Sequence, residues 1–432
     1  MPRTTEIHDL LGIGLGPANL ALALALDPHM MRFRFLERKP RFGWHEGMLL
    51  EDATMQVSFL KDLVTQRDPT SPYSFLCYLK ERGRLSAFLN LREFNPTRRE
   101  FHDYLAWCAG HVAEHVDYDT EVLGIDLAPI SDRAGPGGTL SVKVRSGSYV
   151  RQIHARNISL ALGLKPRMPE GIVADRRIWH SGDLLHRLEG LTPPEGARYA
   201  VIGAGQSAAE TVMHLLTRDP QAQVHAVMTP FGFLPADDSA FVNEIFDAES
   251  VDAFFAMSQD LRAQLLDRHA NTNYGVADPE IIAALYRATY KDRVSGRQRL
   301  HLERLTRLVH AAHDGAGLAL TLSDPTGAQH RSLGVDYLVC ATGYSPVAPE
   351  SLFSDALREL LRTNAQGKPQ LGRDYRVATD PRLSAGIYIQ GDCENSHGLT
   401  ATLLSNLAIR AGEISESLTR HAGARHFADV GT

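Results

Sequence analysis

The chain has 432 residues, of which 44% are hydrophobic and 22% are charged. This length predicts two or three domains, and the composition excludes a wholly disordered or fibrous chain. Its 45 Lys and Arg residues against 51 Asp and Glu residues give a formal net charge of −6. A mildly acidic protein of this kind is disfavoured as a general nucleic-acid binder.

Cysteine spacing and hydropathy restrict the class of protein further. Four cysteines stand far apart and form no CxxC pair: Cys77, Cys108, Cys340 and Cys393. This spacing disfavours a redox dithiol and a cysteine-type zinc site, and we predict reduced thiols and no metal site. The apolar stretch at residues 21–26 is too short to span a bilayer, and no basic segment with a cleavage site frames it. We therefore predict a cytoplasmic protein without an integral membrane segment.

A glycine-rich turn, residues 12–19, follows the strand predicted at residues 7–13. A helix is predicted at residues 20–26, and the next strand, Phe33–Leu36, ends at an acidic residue. Glycines let the backbone approach a pyrophosphate, a helix N-terminus offers free N–H groups, and a carboxylate at this spacing suits a ribose hydroxyl. The predicted cofactor contacts of this first glycine turn are Gly12, Gly14, Gly16, Pro17, Asn19 and Glu37.

A second unit of strand, turn and helix lies in the middle of the chain. The strand Arg198–Ile202 runs into a GxGxxA turn at residues 203–208, which a helix at 209–216 and a strand at 223–228 follow. Two such units indicate dinucleotide binding far more strongly than one. An N-terminal unit with an acid is typical of FAD, and an inserted unit is typical of a nicotinamide cofactor. The predicted contacts of this second glycine turn are Gly203, Gly205, Gln206 and Ser207.

The order of these elements predicts an α/β protein with two Rossmann-like dinucleotide-binding domains. Residues 1–165 and 333–432 would form the FAD-binding domain, and residues 166–332 an inserted NAD(P)H-binding domain. Within the inserted part, residues 235–300 would contribute a smaller, mostly helical substrate-binding region. Because a dithiol is lacking, electrons have to leave the flavin by another route, and O₂ is the obvious acceptor.

Three weaker patterns complete the prediction of the fold. Residues 134–138 are rich in Gly and Pro and predict a hairpin or surface loop. Helices are predicted at residues 251–266 and 281–290. The ends of later strands add Thr342, Gly343, Tyr344 and Asp392 to the predicted cofactor contacts.

Longer motifs carry a family resemblance. They are FGWHEGMLL at 42–50, MQVSFLKDLVT at 55–65, DPTSPYSF at 68–75, DDSAFVNEIF at 237–246, NTNY at 271–274, ATGY at 341–344 and HGL at 397–399. Together they resemble the flavin-dependent N-hydroxylating monooxygenases of siderophore biosynthesis. The resemblance spans nearly the whole chain and is closest to the L-ornithine N5-monooxygenases, with the L-lysine N6-monooxygenases as near relatives.

The resemblance implies FAD- and NADPH-dependent hydroxylation of the side-chain amine of L-ornithine with O₂ as co-substrate. Oxygen would be transferred from a C4a-hydroperoxyflavin, giving N5-hydroxyornithine for a hydroxamate siderophore or a related natural product. The amine has to be neutral to react, and a free alkylammonium has a pKa of about 10.4, so the site has to favour deprotonation. We therefore expect fixed charge at the other end of the substrate and no carboxylate clamp on the reacting amine. Relatives imply a homo-oligomer such as a tetramer.

The resemblance also implies roles for individual residues. Lys61 would pair with the substrate α-carboxylate, and Asn243 would bond its carboxylate or α-amino end. Asn273 would sit between the side-chain amine and the nicotinamide ribose, as a catalytic residue. The residues implied to line the flavin, with Gln56 also catalytic and Leu399 also facing the substrate, are Trp44, His45, Gln56, His397, Gly398 and Leu399.

Two positions depart from the pattern of the relatives. Thr229 stands where relatives often have an Arg that suits the 2′-phosphate of NADPH, so NADH stays open as the reductant. That charge could instead come from Lys291, Arg293 or Arg297. Ala401 stands where relatives commonly have Asp, and the loss of this carboxylate could alter polar contacts near the flavin or the choice of substrate.

Three other functions stay open at this point. The same reaction could act on L-lysine, another primary amine or a diamine. A ketone-oxygenating flavin monooxygenase would carry an FxGxxxHxxx(W/P) string between the two units, and residues 168–180 do not match it. A redox-sensing flavoprotein would bind both nucleotides without consuming O₂ in the presence of any amine.

Overall fold

The computed structural model describes residues 6–129 and 138–430, with residues 423–430 as backbone only. Residues 134–137 of the predicted hairpin lie outside these ranges. No helix within the described ranges combines the length and the apolar content that crossing a bilayer requires.

A five-stranded parallel sheet, the first sheet, is built from both ends of the chain. Every residue of Leu10–Ile13, Asn157–Leu160 and Gly386–Ile389 is buried, as expected for a parallel sheet with both faces covered. Helices Pro17–Ala25 and Leu407–Val430 pack against each other beside it. In spatial order the strands are Gly386–Ile389, Asn157–Leu160, Leu10–Ile13, Phe33–Leu36 and Val116–Asp117.

The strand predicted at residues 7–13 is divided between two sheets. Ile7–His8 pairs with Tyr149–Ala155, whereas Leu10–Ile13 joins the first sheet. Asp9 marks the division, because its carboxylate accepts hydrogen bonds from the Arg156 side chain at 2.8 Å and the Arg32 N–H at 3.0 Å. The smaller, mostly antiparallel sheet consists of Ile7–His8, Tyr149–Ala155, Leu140–Ser146 and Thr120–Leu127.

A second parallel sheet forms the inserted unit. An antiparallel sheet of Arg307–Asp314, Gly317–Ser323 and His330–Val335 packs on one of its faces through Leu318, Leu320 and Leu322. In spatial order the strands of the second sheet are Ile178–His180, Tyr337–Cys340, Arg198–Ile202, Gln223–Val227 and Leu300–Glu303. The predicted α/β fold with two dinucleotide-type units is confirmed.

The chain passes from the second sheet back to the first in the region that follows residue 333. Tyr337–Cys340 pairs with Ile178–His180 on one side and with Arg198–Ile202 on the other, so it completes the second sheet. The chain then returns to the first unit through Tyr344–Pro346, which pairs antiparallel with Leu164–Pro166. We propose this pair of crossing strands as the domain boundary.

The helices surround the two sheets and fill the region between them. The helix predicted at residues 251–266 is interrupted, because the Ser258 hydroxyl caps a new helix by accepting a bond from the Leu261 N–H at 3.4 Å. The helix predicted at residues 281–290 is part of a longer one. The remaining α-helices are Phe75–Glu81, Leu85–Leu91, Arg98–His111, Leu184–Leu188, Gln206–Arg218, Ala240–Asn243, Ala248–Ala256, Gln259–Arg268, Pro279–Val294, Asp355–Arg358 and Glu394–His397. Short 3-10 turns lie at Glu46–Met48, Ala113–His115, Ser181–Asp183, Glu244–Phe246, Ala270–Thr272, Pro349–Leu352 and Leu399–Thr402.

Candidate active site

The first glycine turn is shaped for close approach of a ligand to the backbone. Gly14 has a φ of +81°, and a Cβ there would lie 2.5 Å from the carbonyl oxygen of Ala161. A Cβ on Gly16, by contrast, would meet open space. No side chain caps the helix Pro17–Ala25 that follows, so its first N–H groups face this open space. Free N–H groups at the positive end of a helix dipole suit a phosphate.

Asn19 fixes the shape of this turn from inside the protein. Its side chain is fully buried, and its Nδ2 donates to the carbonyl oxygen of Gly14 at 2.7 Å. Its Oδ1 accepts bonds from Ser159 Oγ and from Gln390 Nε2, both at 2.8 Å. The side chain therefore joins the ends of three neighbouring strands, and we assign it to shaping the turn that a cofactor would contact.

Acidic residues follow two strands at this same edge of the first sheet. Glu37 accepts hydrogen bonds from the N–H of Leu15 at 2.8 Å and the N–H of Lys39 at 2.9 Å. Asp392 follows Gly386–Ile389 and pairs with Lys368 at 2.7 Å. The carboxyl ends of parallel strands meet at one edge, which is where open α/β sheets bind ligands. The structure thus brings together the residues predicted for the first turn.

The second glycine turn repeats the geometry with different partners. Gly203 has a φ of +135°, and a Cβ there would lie 2.3 Å from the carbonyl oxygen of Ala341. Helix Gln206–Arg218 again begins without a side-chain cap. The amide of Gln206 is engaged, because its Nε2 donates to Glu210 at 2.8 Å and its Oε1 accepts from the N–H of Asp278 at 2.7 Å.

A buried ion pair joins the two units beside the second turn. The guanidinium of Arg98, on a helix of the first unit, donates to both carboxylate oxygens of Glu210 at 2.9 and 2.7 Å. The two side chains are 13% and 5% exposed. Arg98 also donates to the carbonyl oxygen of Met48 at 3.0 Å. Neither residue was singled out from the sequence, because they stand far apart in the chain and match no local motif.

The segment around Trp44 and His45 lies against the crossing strands. His45 is exposed and has a φ of +51°, in the left-handed region. Its ring centroid lies 5.9 Å from that of Tyr344. Trp44 packs edge-on against Phe101. The predicted residues of this segment are therefore held at the junction of the two units.

His180, for which the sequence predicts no chemistry, orders the predicted contacts at residues 342–344. Its Nδ1 accepts from the N–H of Gly182 at 3.0 Å, so its Nε2 donates to the carbonyl oxygen of Gly343 at 2.9 Å. Its ring lies 4.8 Å from that of Tyr344. The role of this buried histidine is structural, and it fixes the path of the return strand.

Lys61 lies beside the proposed substrate region. Its Nζ is 3.6 Å from Oδ1 of Asp247, the residue at which helix Ala248–Ala256 begins. Asn243, one short turn earlier, donates from Nδ2 to the carbonyl oxygen of Asp238 at 2.8 Å. Gln56 is exposed. Asp247 was not singled out from the sequence, where it reads only as a helix cap.

Asn273 is linked to the loop that carries Leu399. Its neighbour Tyr274 donates a hydrogen bond from its hydroxyl to the carboxylate of Glu394. Thr402, at the end of the turn Leu399–Thr402, donates to that same carboxylate at 2.7 Å. Glu394 thus ties the segment that holds Asn273 to the loop of the first unit.

The comparisons with known proteins identify the family. The family model described as L-lysine 6-monooxygenase/L-ornithine 5-monooxygenase matches residues 6–346. The chain belongs to this family. An L-ornithine N(5)-monooxygenase from Burkholderia cepacia is 42% identical over 409 residues, which cover 92% of this chain and 91% of that protein.

Two solved structures of relatives match over nearly the whole chain. The ornithine N-hydroxylase of Kutzneria sp. 744, in a complex named with reduced FAD, NADP⁺ and L-ornithine, matches with a TM-score of 0.93 and 44% identity. The ornithine hydroxylase from Pseudomonas aeruginosa matches with a TM-score of 0.89 and 36% identity. Each covers 96% of this chain and 100% of its own. The resemblance predicted from the motifs is confirmed.

The HGL motif of this lysine/ornithine monooxygenase chain is largely internal. His397 is fully buried and stacks on Tyr375 with ring centroids 4.1 Å apart. Burial lowers its pKa to about 4. Gly398 has a φ of +79°, and Leu399 is 1% exposed. His397 therefore supports the loop from the interior of the protein, and the ring of Phe254 packs on Gly398, where a Cβ would lie 3.4 Å from it.

Ala401, the departure within the family pattern, lies behind the same loop. It is 1% exposed, and its carbonyl oxygen accepts a hydrogen bond from the guanidinium of Arg410. Arg410 is 3% exposed and makes no salt bridge within the described residues. Within residues 6–129 and 138–430, no three His, Cys, Asp or Glu side chains group as metal ligands.

Proposed function

We propose that this protein hydroxylates the side-chain amine of L-ornithine at N5, with FAD, NADPH and O₂. The observation that carries this proposal is the pair of glycine turns, one at the edge of each parallel sheet, in two units that the buried ion pair of Arg98 and Glu210 joins. The names of the relatives supply the chemistry: the matched proteins act on ornithine, and one structure is named with all three ligands.

The two turns fit the two cofactors on geometric grounds. Each has a glycine at positive φ whose Cβ would collide with a carbonyl oxygen, followed by a helix without a side-chain cap. The first turn also has the carboxylate of Glu37, which suits a ribose diol. When bound, FAD reduced by NADPH would supply the activation of O₂, and the protein's own part is to position, desolvate and orient.

The charges of Lys61 and Asp247 match the two ends of an α-amino acid. The ammonium of Lys61 would hold the substrate α-carboxylate, and the carboxylate of Asp247, 3.6 Å away, would accept from its α-ammonium. Both side chains are partly exposed and accessible to a ligand. A diamine has no carboxylate for Lys61, so this pair favours an amino acid.

The reacting end of the substrate would meet neutral groups. Asn273 offers an amide, which bonds a neutral amine without favouring its protonation. This agrees with the requirement that the amine be neutral when it is oxidised.

The first experiment measures hydroxylamine product and NADPH oxidation with L-ornithine, L-lysine and putrescine. We expect nearly one product per NADPH with L-ornithine and little with the other two. Equal activity on putrescine would contradict the α-amino-acid site and favour a diamine as substrate. Dominant activity on L-lysine would assign the protein to the other branch of its family.

The second experiment tests the charged pair. Replacing the ammonium in Lys61→Met should raise the KM for L-ornithine about 10- to 100-fold, because a charge-assisted hydrogen bond is lost. Asp247→Asn should raise it less, by about 3- to 10-fold, because the amide still bonds the α-ammonium. Lys80→Met, at an exposed lysine of the first unit, is the control. An unchanged KM in Lys61→Met would remove Lys61 from the substrate site.

Three broader statements stay proposals. We propose a cytoplasmic protein, supported by its four free cysteines, Cys77, Cys108, Cys340 and Cys393. A homo-oligomer such as a tetramer stays a prediction, which light scattering of the purified holoenzyme tests. We propose that the product, N5-hydroxyornithine, serves a hydroxamate siderophore or a related natural product.

A further inference from the structure

The second unit lacks the usual residue for telling NADPH from NADH. In a Rossmann unit, the residue after the second strand meets the adenosine ribose: an acid there bonds the 2′-hydroxyl, and an Arg nearby accommodates the 2′-phosphate. Here strand Gln223–Val227 continues into Met228, Thr229 and Pro230, which provide neither charge. Recognition of the ribose has to come from a neighbouring strand.

The neighbouring strand delivers a cation to this position. Leu300–Glu303 pairs parallel with Gln223–Val227, with Glu303 opposite Val227, so the next residue, Arg304, emerges at the same edge as Thr229. Backbone hydrogen bonds continue the pairing of these two strands beyond their carboxyl ends. The N–H of Met228 donates to the carbonyl oxygen of Glu303 at 3.0 Å, and the N–H of Thr306 donates to that of Met228 at 2.9 Å.

Arg304 is accessible and carries an uncompensated charge. Its guanidinium lies 4.7 Å from the centroid of the Phe231 ring, and Phe231 is 69% exposed. Arg304 makes no salt bridge within the described residues. The adjacent acid, Glu303, is occupied by His225 at 2.9 Å and by Arg331. An exposed guanidinium resting on an aromatic face keeps its N–H donors free for an anion.

We propose that Arg304, supported by Phe231, binds the 2′-phosphate of NADPH and so takes the part of the arginine missing at Thr229. This inference rests on the proposed function for the use of NADPH, and it assigns the residue that selects the cofactor. Phe231 holds the plane of the guanidinium and offers an apolar face beside the adenosine.

The cations considered from the sequence lie at the opposite edge. Lys291, Arg293 and Arg297 come before Leu300–Glu303, so they lie toward the amino end of that strand, while the glycine turns lie at the carboxyl ends. Arg297 is also 3.5 Å from the carboxylate of Asp292. The parallel register therefore excludes them from the ribose site and leaves Arg304.

The test measures binding of NADP⁺, NAD⁺ and adenosine 2′,5′-bisphosphate to the oxidised holoenzyme by calorimetry, without substrate turnover. Arg304→Gln should weaken binding of NADP⁺ and of the bisphosphate about 10- to 100-fold, because charge-assisted bonds to the phosphate are lost. Binding of NAD⁺ should change less than about 3-fold, since it lacks that phosphate. Arg297→Gln is the matched control and should leave all three affinities unchanged. Thr229→Arg added to Arg304→Gln should restore the affinity for NADP⁺.

Each alternative result has a definite meaning. Equal wild-type affinity for NADP⁺ and NAD⁺ would overturn the inference and leave ornithine hydroxylation with either reductant standing. An equal loss for both dinucleotides in Arg304→Gln, or no loss at all, would also overturn it. Binding of neither dinucleotide by the wild-type holoenzyme would overturn the proposed function together with the inference.

Discussion

The two glycine turns share one backbone design and differ in the charge that surrounds the ribose. In the first unit, Glu37 follows the second strand and accepts bonds from the N–H groups of Leu15 and Lys39. In the second unit, the same topological position holds the uncharged Thr229, and the neighbouring strand contributes Arg304. A carboxylate suits a free ribose diol, whereas a guanidinium suits a phosphate. The fold therefore sets where a ribose lies, and a single nearby charge sets which ribose is accepted.

The turns also differ in what holds them. Asn19 anchors the first turn to strands of its own sheet, within the first unit. The helix of the second turn is anchored to the other unit, because Glu210 on this helix pairs with Arg98 of the first unit. The first turn is thus a self-contained site. The second is positioned relative to the first, as transfer between two bound cofactors requires.

The largest expected effect comes from breaking the ion pair of Arg98 and Glu210. Glu210→Ala should lower the free energy of unfolding by about 3–5 kcal/mol, because it leaves the buried guanidinium of Arg98 without a carboxylate to balance its charge. Urea denaturation of the holoenzyme measures this loss. Asp355→Ala breaks the pair with Arg358, in which the aspartate is 95% exposed, and its effect should stay below about 1 kcal/mol. Similar losses of unfolding free energy in both variants would show that the buried pair contributes no more to stability than the exposed pair.

A matched pair of glycine substitutions tests whether the two turns act separately. Gly14→Ala should release FAD, whereas Gly203→Ala should retain FAD and lose NADP⁺, each with a loss of affinity of about 10-fold or more. The cause is a Cβ placed 2.5 or 2.3 Å from a carbonyl oxygen, at a positive φ. Absorbance of bound flavin and calorimetry with NADP⁺ distinguish the two outcomes.

The control for this pair is Gly171→Ala. Gly171 has a φ of +74°, but a Cβ there would meet nothing within 4 Å. It therefore reproduces the backbone strain without the collision and without contact with either turn. Loss of both ligands in either turn variant would mean that the two sites fold as one.

Local patterns in the sequence were sufficient for the scaffold. Strands Phe33–Leu36 and Arg198–Ile202 coincide with the predicted ones, because short, mainly apolar runs of this kind are typical of buried parallel strands. The glycine turns follow from the same patterns. The motifs also identified the family without any structural information.

The features that could not be predicted from the sequence depend on which elements become neighbours in the fold. The pair of Arg98 and Glu210 spans two units, and neither residue lies in a motif. Arg304 becomes a candidate only when its strand is known to lie beside Gln223–Val227. The three cations first considered, Lys291, Arg293 and Arg297, carry the same charge as Arg304. They lie at the amino end of strand Leu300–Glu303, away from Thr229. Spatial order of strands is the information that sequence periodicity does not contain.

The smallest expected effect concerns protonation in the first unit. His397 is fully buried, and burial lowers its pKa to about 4 from the ordinary 6.5. The unfolded chain therefore takes up a proton at this histidine near pH 6.5, whereas the folded protein takes it up only near pH 4. The contribution of the neutral His397 to stability is complete above pH 6.5 and is lost progressively as the pH falls from 6.5 toward 4.

Denaturation of wild type and His397→Gln at pH 7 and pH 5 measures this contribution. The wild type should lose stability between the two values, and the variant should lose about 2 kcal/mol less, because glutamine does not take up a proton in this range. His29→Gln, at an exposed histidine of the first unit, should follow the wild type. If His397→Gln also followed the wild type, the pH dependence would have to arise from other histidines whose pKa values burial lowers, such as His8 and His102 of the first unit and His180, His214 and His225 of the second.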